Sequence, residues 1–263
     1  MRADKYFADT FGSRTKAAEA IEKGWVLLNG KRIKPKDEVK PTDEIRILDI
    51  EESYVSNGGY KLQRALDEFA FACEGKTFVD IGASTGGFTD CLLQHGAKKV
   101  YAVDVGESLL HPSLVGDKRI VQMQNTNARY LTAEHFQDAI DCVVTDVSFI
   151  SLKHIFPVIH AVLQEGGEAL VLIKPQFECE QTNIGKSGIV HPSAHSKIVQ
   201  KVLGYAKESG LLPQQIVCAP VRKGKNIEYV LRLQSAGAYD KSTAVLEYVK
   251  TFIKAQSQTK KEQ

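Results

Sequence analysis

Four residues in this sequence have the types and placement for proton transfer at a shared cleft: Lys61, Asp146, Lys174 and Glu228. Asp146 and Lys174 each close an apolar run, over 141–146 and 169–174, so a parallel sheet would bring both to one edge. Lys61 opens an amphipathic stretch, Leu62-Gln63-Arg64-Ala65-Leu66, and Glu228 stands just before Tyr229-Val230-Leu231. Two lysines and two carboxylates around one cleft can form alternating charge pairs. A lysine that is partly desolvated beside another cation has its pKa lowered, which lets it act as a base. A lone strand-end Asp or Lys says little; the set carries the reading.

A loop supplies the second chemical signal: Val79-Asp80-Ile81-Gly82-Ala83-Ser84-Thr85-Gly86-Gly87-Phe88-Thr89. A strand ends in Asp80, small residues follow, and a helix opens at about Gly87. Glycines let a ligand approach the backbone, and a helix N-terminus offers unpaired N–H groups to an anion. The spacing is not the G-x-G-x-x-G of a dinucleotide site, and nothing beyond the helix end provides for a pyrophosphate. An amino-acid carboxylate suits this loop, with Asp80 reading a nearby ammonium. Asp104, ending the next strand, is placed to accept both hydroxyls of a ribose. Those are the demands of S-adenosyl-L-methionine.

Alternating strands and helices must hold these residues in place. Strands over 77–80, 99–104, 141–146 and 169–174, separated by helical segments, read as βαβ units in a parallel sheet covered on both faces; runs over 215–219 and 229–233 complete it. The crevice outside the strand ends is where such a sheet binds ligands. The expected fold is α/β, a Rossmann-like domain over 61–235, preceded by a linker over 51–60 and a small α+β module over 1–50. In that module Ser13 caps a helix with Ala17, Ala20 and Ile21 on one stripe, Gly24 stops it, and Asn29-Gly30 turns a hairpin. Residues 236–263 read as a helix over 243–252 and a polar tail for which disorder is the default.

With 263 residues, 43% hydrophobic and 25% charged, the chain fits a globular protein of one large domain plus a small one. No apolar run reaches membrane-span length and no signal peptide is visible, so the expected setting is cytoplasmic, with no membrane partner. The five cysteines are scattered without a C-x-x-C pair, and no histidine spacing suits a metal. A net charge of +2 leaves nucleic-acid binding to local clusters. Arg14 and Lys16 at the helix start, and Lys31, Arg32, Lys34 and Lys36 after the hairpin turn, form one such cluster; Arg222 and Lys223, just before Glu228, form another.

In chain order and context, Lys61, Asp146, Lys174 and Glu228 resemble the K-D-K-E tetrad of the FtsJ-like RNA ribose 2′-O-methyltransferases. Over about residues 1–234 the chain is similar to the TlyA (hemolysin A-like) family, which joins an S-four-type RNA-binding module to such a methyltransferase domain. The strings that carry the likeness are Ser56-Asn57-Gly58-Gly59-Tyr60-Lys61-Leu62, Asp80 through Asp90, Asn127-Ala128-Arg129-Tyr130-Leu131, Asp146-Val147-Ser148-Phe149-Ile150-Ser151-Leu152 and Lys174-Pro175-Gln176-Phe177-Glu178. The resemblance implies a mostly parallel seven-stranded class I methyltransferase sheet and ribose methylation of ribosomal RNA, free or in ribosomal subunits, from S-adenosyl-L-methionine. It implies a tetrad in catalysis and a cofactor set of Asp80, Gly82, Ser84, Gly86, Gly87, Phe88, Thr89, Asp104, Asn127 and Asp146.

The chain departs from the family at Asn57, where Arg is usual, at Ala3, where Leu is usual, and at Glu107-Ser108-Leu109-Leu110, where Tyr-Gly-Gln-Leu is common. No tetrad member is lost. The other classes to weigh are a non-catalytic RNA-binding or ribosome-associated protein, against which the complete tetrad argues, and a membrane-active hemolysin, for which no insertion element is found. A methyltransferase of small molecules or proteins is disfavoured by the basic module.

Overall fold

The chain divides into two units, Met1–Ser53 and Tyr54–Gln263, in a computed structural model that describes residues 1–22, 24–47, 54–107, 110–221 and 224–259. In the first unit α1 (Ala3–Tyr6) and α2 (Arg14–Glu22) pack with β1 (Val26–Leu28), β2 (Lys31–Arg32) and β3 (Ile45–Ile47). Asn29 and Gly30 both take left-handed backbone, φ 51° and 74°, as the tight turn between paired Leu28 and Lys31 requires. Strand β3 pairs antiparallel on the other side of β1. Ala3, Phe7, Ala17, Ile21, Val26, Leu28 and Val39 form the core. Helix α1, too short to show a periodic stripe in sequence, is tied down by buried Asp4, whose carboxylate pairs with Arg2 at 2.9 Å and Arg14 at 3.0 Å.

The second unit runs through α3 (Asn57–Phe69), β4 (Thr77–Ile81), α4 (Gly87–Gln94), β5 (Lys99–Val103), β6 (Ile120–Met123) and β7 (Ile140–Thr145). It continues with α5 (Phe156–Val162), β8 (Leu163–Ile173), α6 (Pro175–Glu178), α7 (His195–Glu208), β9 (Leu212–Cys218), β10 (Tyr229–Gln234) and α8 (Ser242–Thr259). The seven strands lie in the order β6-β5-β4-β7-β8-β10-β9, parallel from β6 through β8, with β10 antiparallel to both its neighbours. Alternation along the strands splits the core. Val79, Ile81, Val143, Val171 and Ile173 face α5, α7 and α8, while Phe78, Cys142, Val144, Leu170 and Leu172 face α3 and α4. Both faces are covered, which is why these strands read as nearly continuous apolar runs. Chain order reverses between β4 and β7, and that switch point opens the ligand crevice at the strands' carboxyl ends.

Three boundaries differ from the sequence reading. Ser56 caps α3, so the helix begins at Asn57, inside the segment expected as a linker, and Tyr54 is packed so tightly beneath it that a Cβ on Gly59 would lie 2.3 Å from its ring. Strand β6 is a half-exposed edge strand with no apolar run to announce it. Helix α8 continues seven residues beyond the expected Phe252, through Lys254, Ala255 and Gln256, residue types that favour helix.

Candidate active site

The four tetrad candidates and Asp104 sit at the same sheet edge for a reason of topology. Asp104, Asp146 and Lys174 directly follow parallel strands β5, β7 and β8. Glu228 directly precedes β10, and because β10 is antiparallel, its beginning meets the ends of the others. Lys61 arrives from α3, whose Leu62, Ala65, Leu66 and Phe69 face the core at helical spacing.

These side chains form a continuous line of alternating charge. Lys61 Nζ lies 2.7 Å from Glu228 Oε2 and 3.5 Å from Asp146 Oδ2, and Lys174 Nζ lies 2.5 Å from Asp146 Oδ1. All four are between a tenth and a quarter exposed. The second cation therefore stands across Asp146 from Lys174 and not directly against it. Lys174 also donates to Ser148 Oγ at 2.7 Å and to the Asp146 carbonyl at 3.4 Å. Gln176 Nε2 reaches Glu228 Oε1 at 3.4 Å, and the buried Gln176 Oε1 has no partner.

Two cavities meet at this line. One, about 300 Å³, is lined by Gly82, Ser84, Asp104, Asn127, Asp146 and Ser148 among others. The other, about 270 Å³, is lined by Asn57, Tyr60, Lys61, Gln176, Asn226 and Glu228 among others. The charge line thus runs from the wall of the first, at Asp146, to the wall of the second, at Lys61 and Glu228.

The loop beneath the first cavity is built by backbone conformation. Gly82, Ser84 and Gly86 are left-handed at φ 81°, 49° and 88°. Asp104 accepts Ser84 N–H at 2.8 Å and Gly106 N–H at 2.9 Å, which fixes the loop against β5. Asp80 is fully buried: its Oδ2 accepts the N–H and hydroxyl of Thr89 at 3.0 and 2.7 Å, and its Oδ1 has no partner. Burial pushes this carboxyl up to about 7, with Asp146 and Asp104 adding to the rise and the Thr89 hydrogen bonds opposing it. Gly87 lets the starts of α3 and α4 touch; a Cβ there would fall 2.1 Å from Ser56 Oγ.

The remaining candidates are distributed unevenly. Phe88, expected at the cofactor, is 3% exposed in the core under α3, because its place in the first turn of α4 turns it inward. Thr89 acts through Asp80, and Gly86 sits against Leu110 and Leu114. Lys31, Arg32, Lys34 and Lys36 are exposed on the first unit. Arg14, expected as an open phosphate contact, is engaged by Asp4 at 3.0 Å. Lys16 belongs to α2, while Arg222 and Lys223 lie outside the described residues. Ser148 and Phe149 carry no assigned role in the sequence reading. Phe149 is 91% exposed, with a left-handed φ of 63°, and its ring lies 5.0 Å from that of Phe177. The sequence shows an aromatic inside the Asp146 string; its exposure is legible only in the structure.

Fold and site together define a class I methyltransferase of the FtsJ-like kind: the family model for FtsJ-like methyltransferases matches residues 54–235, and the chain belongs to that family. An S4 domain model matches residues 1–45. The chain is similar to Hemolysin A of Brachyspira hyodysenteriae, 41% identical over 88% of this chain and 98% of that one. It is also similar to the 16S/23S rRNA (cytidine-2′-O)-methyltransferase TlyA of Mycobacterium tuberculosis, 39% identical over 85% of each. Among solved structures, a Streptococcus thermophilus protein that carries a hemolysin name aligns with a TM-score of 0.77 at 35% identity, covering 100% of this chain and 98% of that one.

Proposed function

We propose that this protein transfers a methyl group from S-adenosyl-L-methionine to a ribose 2′-hydroxyl of ribosomal RNA, presented in a ribosomal subunit. The observation that carries this reading is the line Glu228–Lys61–Asp146–Lys174 joining two cavities, one suited to the methyl donor and one open to the acceptor. The residues present fit the donor. Asp80 Oδ1 is a buried carboxylate oxygen lacking a partner, which an ammonium would satisfy, and Asp104 stands one strand over for ribose hydroxyls. When bound, the cofactor supplies an electrophilic methyl on a sulfonium.

The protein's own residues then align the hydroxyl and remove its proton. Lys174, least exposed of the four and held by Asp146 and Ser148, first releases an ammonium proton to solvent and, as the free amine, takes the hydroxyl proton at Nζ. Asp146 and Lys61 orient it and balance its charge, and Glu228 fixes Lys61. Exposed Phe149 offers a face on which a base can stack, and exposed Lys31, Arg32, Lys34 and Lys36 offer phosphate contacts on the S4 unit. No helix among the described residues is long and apolar enough to cross a membrane. Purified protein, labelled S-adenosyl-L-methionine and isolated ribosomal subunits test the reading, with ribose methylation mapped in the RNA. Label in a base, or none in RNA, overturns it.

A further inference from the structure

The five residues that follow β8 grip both ends of the loop that leaves β7. At one end Lys174 donates to the Asp146 carbonyl and to Ser148 Oγ. At the other, Glu178, only 4% exposed, accepts Ser151 Oγ–H and Leu152 N–H, each at 2.7 Å. Between them Gln176 reaches Glu228 and Phe177 stands against Phe149. The middle of the gripped loop holds the left-handed Phe149, a conformation that a bulky L-residue keeps only where its surroundings over-determine it. We infer that Glu178 is a positioning residue for methyl transfer: by fixing Ser151 and Leu152 it holds residues 146–152 against α6, and so sets where Ser148 meets Lys174 and where Phe149 stands. This inference rests on the methyl-transfer reading above.

The chemistry of the bracket explains the residue type. Two donors converge on one buried point, and a carboxylate is an acceptor at both oxygens. Burial pushes the Glu178 carboxyl above the usual range, opposed by the hydrogen bonds from Leu152 and Ser151. Its contribution is therefore geometric, two acceptors at fixed spacing, and a neutral isostere should replace it. A glutamine can accept from Leu152 N–H through its oxygen and donate to Ser151 Oγ, because a hydroxyl can reverse its role.

The experiment compares Glu178→Ala and Glu178→Gln with wild type by single-turnover methylation of ribosomal subunits, cofactor affinity by calorimetry, and amide exchange at Leu152. Loss of the bracket lets the loop shift by an ångström or so, which should slow transfer by about 10- to 100-fold in Glu178→Ala. Glu178→Gln should stay within about threefold of wild type, since both hydrogen bonds are rebuilt. Cofactor affinity should hold in Glu178→Gln and fall by less than the rate in Glu178→Ala, because Asp146 and Ser148 of the loop also line the donor cavity while Asp104 and Ser84 stay in place. Leu152 exchange should accelerate only in the alanine variant. A wild-type rate in Glu178→Ala, or a glutamine variant as slow as the alanine one, overturns the inference. Should Glu178→Ala not fold, Ser151→Ala removes one donor and keeps the other; an intermediate loss is expected, and wild-type rate and exchange there overturn it equally. Leu152 exchange needs no methyl acceptor. A protein that methylates no ribosomal RNA therefore sinks the functional reading alone, while unchanged Leu152 exchange in Glu178→Ala sinks the bracket.

Discussion

The two halves of the crevice are made of different material. On the β4–β5 side, Asp80 and Asp104 are held by their own loop: the N–H and hydroxyl of Thr89, and the N–H groups of Ser84 and Gly106. On the β7–β8–β10 side, Asp146, Lys174, Lys61 and Glu228 are held chiefly by one another. A backbone-built half is preformed and loses little when one side chain changes. A half built from mutual charges loses more, since removing one partner leaves another poorly solvated and unpaired. Substitutions on the tetrad side should therefore be large and non-additive, and those on the loop side smaller and confined to cofactor affinity.

The largest effect is expected at Lys174. Lys174→Ala should slow methyl transfer by about 10²–10⁴-fold or more, the usual worth of a positioned general base plus lost alignment. Folding and cofactor binding should stay nearly intact, because Lys174 lies at the strand end, its loss opens no core cavity, and Asp146 keeps Lys61 as a partner at 3.5 Å. Lys174→Arg should not rescue, since a guanidinium keeps its proton. Single-turnover rates at several pH values are the check. A near-normal arginine variant would show that fixed positive charge suffices, and the contrast between the halves would then be one of charge alone.

On the loop side, Asp104→Ala should weaken S-adenosyl-L-methionine binding by roughly 1–3 kcal/mol, the worth of charge-assisted hydrogen bonds to ribose hydroxyls. The transfer rate at saturating cofactor should hold. Unchanged affinity by calorimetry would remove Asp104 from the site.

Asp80 sharpens the comparison through pH. Its carboxyl, raised to about 7, binds a proton more tightly folded than unfolded. Its contribution to stability is therefore complete below the ordinary carboxylate range and is lost as pH rises through about 7. Asp80→Asn, neutral throughout and still able to accept from Thr89, should flatten that part of the stability profile in denaturant titrations. Because an ammonium ligand needs the ionised form, cofactor affinity should fall below pH 7 by up to about tenfold per unit. A flat affinity between pH 6 and 8 would contradict the role given to Asp80.

What is legible in the amino-acid sequence follows the same division. The loop, its glycines and its strand-end carboxylates are contiguous in sequence, so helix α4 opens at Gly87 as the pattern predicts. Strand-end charges announced Asp146 and Lys174 for a similar reason. Phe88 misled because a helix's first turn has an inner face that a loop pattern does not show. Glu178 and Ser148 were unreadable as partners, since their contacts span 26 residues or more and exist only once β7 and β8 lie side by side. Edge strand β6, exposed at the consecutive positions Val121 and Gln122, shows no alternation to see.

The smallest effects belong to the first unit, where Arg32 and Lys34 are held by neither device. Arg32, exposed on β2, has no ion pair among the described residues, whereas Arg14 is paired with Asp4 at 3.0 Å. A cation in bulk water keeps its counterions until it meets a phosphate, and releasing them makes affinity depend on salt. Arg32→Ala and Lys34→Ala should each weaken RNA binding a few-fold and lower the slope of log affinity against log salt by a little under ~1, with cofactor affinity unmoved. Arg14→Ala should lower the slope less, because its guanidinium is already partly compensated by the Asp4 carboxylate it shares with Arg2, and should show instead as lost stability of α1 and its contact with buried Asp4. Fluorescence titrations of a ribosomal RNA fragment at four salt concentrations separate the cases. Equal slopes for Arg32→Ala and wild type would make that face a solvated surface with no RNA on it. A slope change in Arg14→Ala as large as in Arg32→Ala would mean that the Asp4 pair opens on binding.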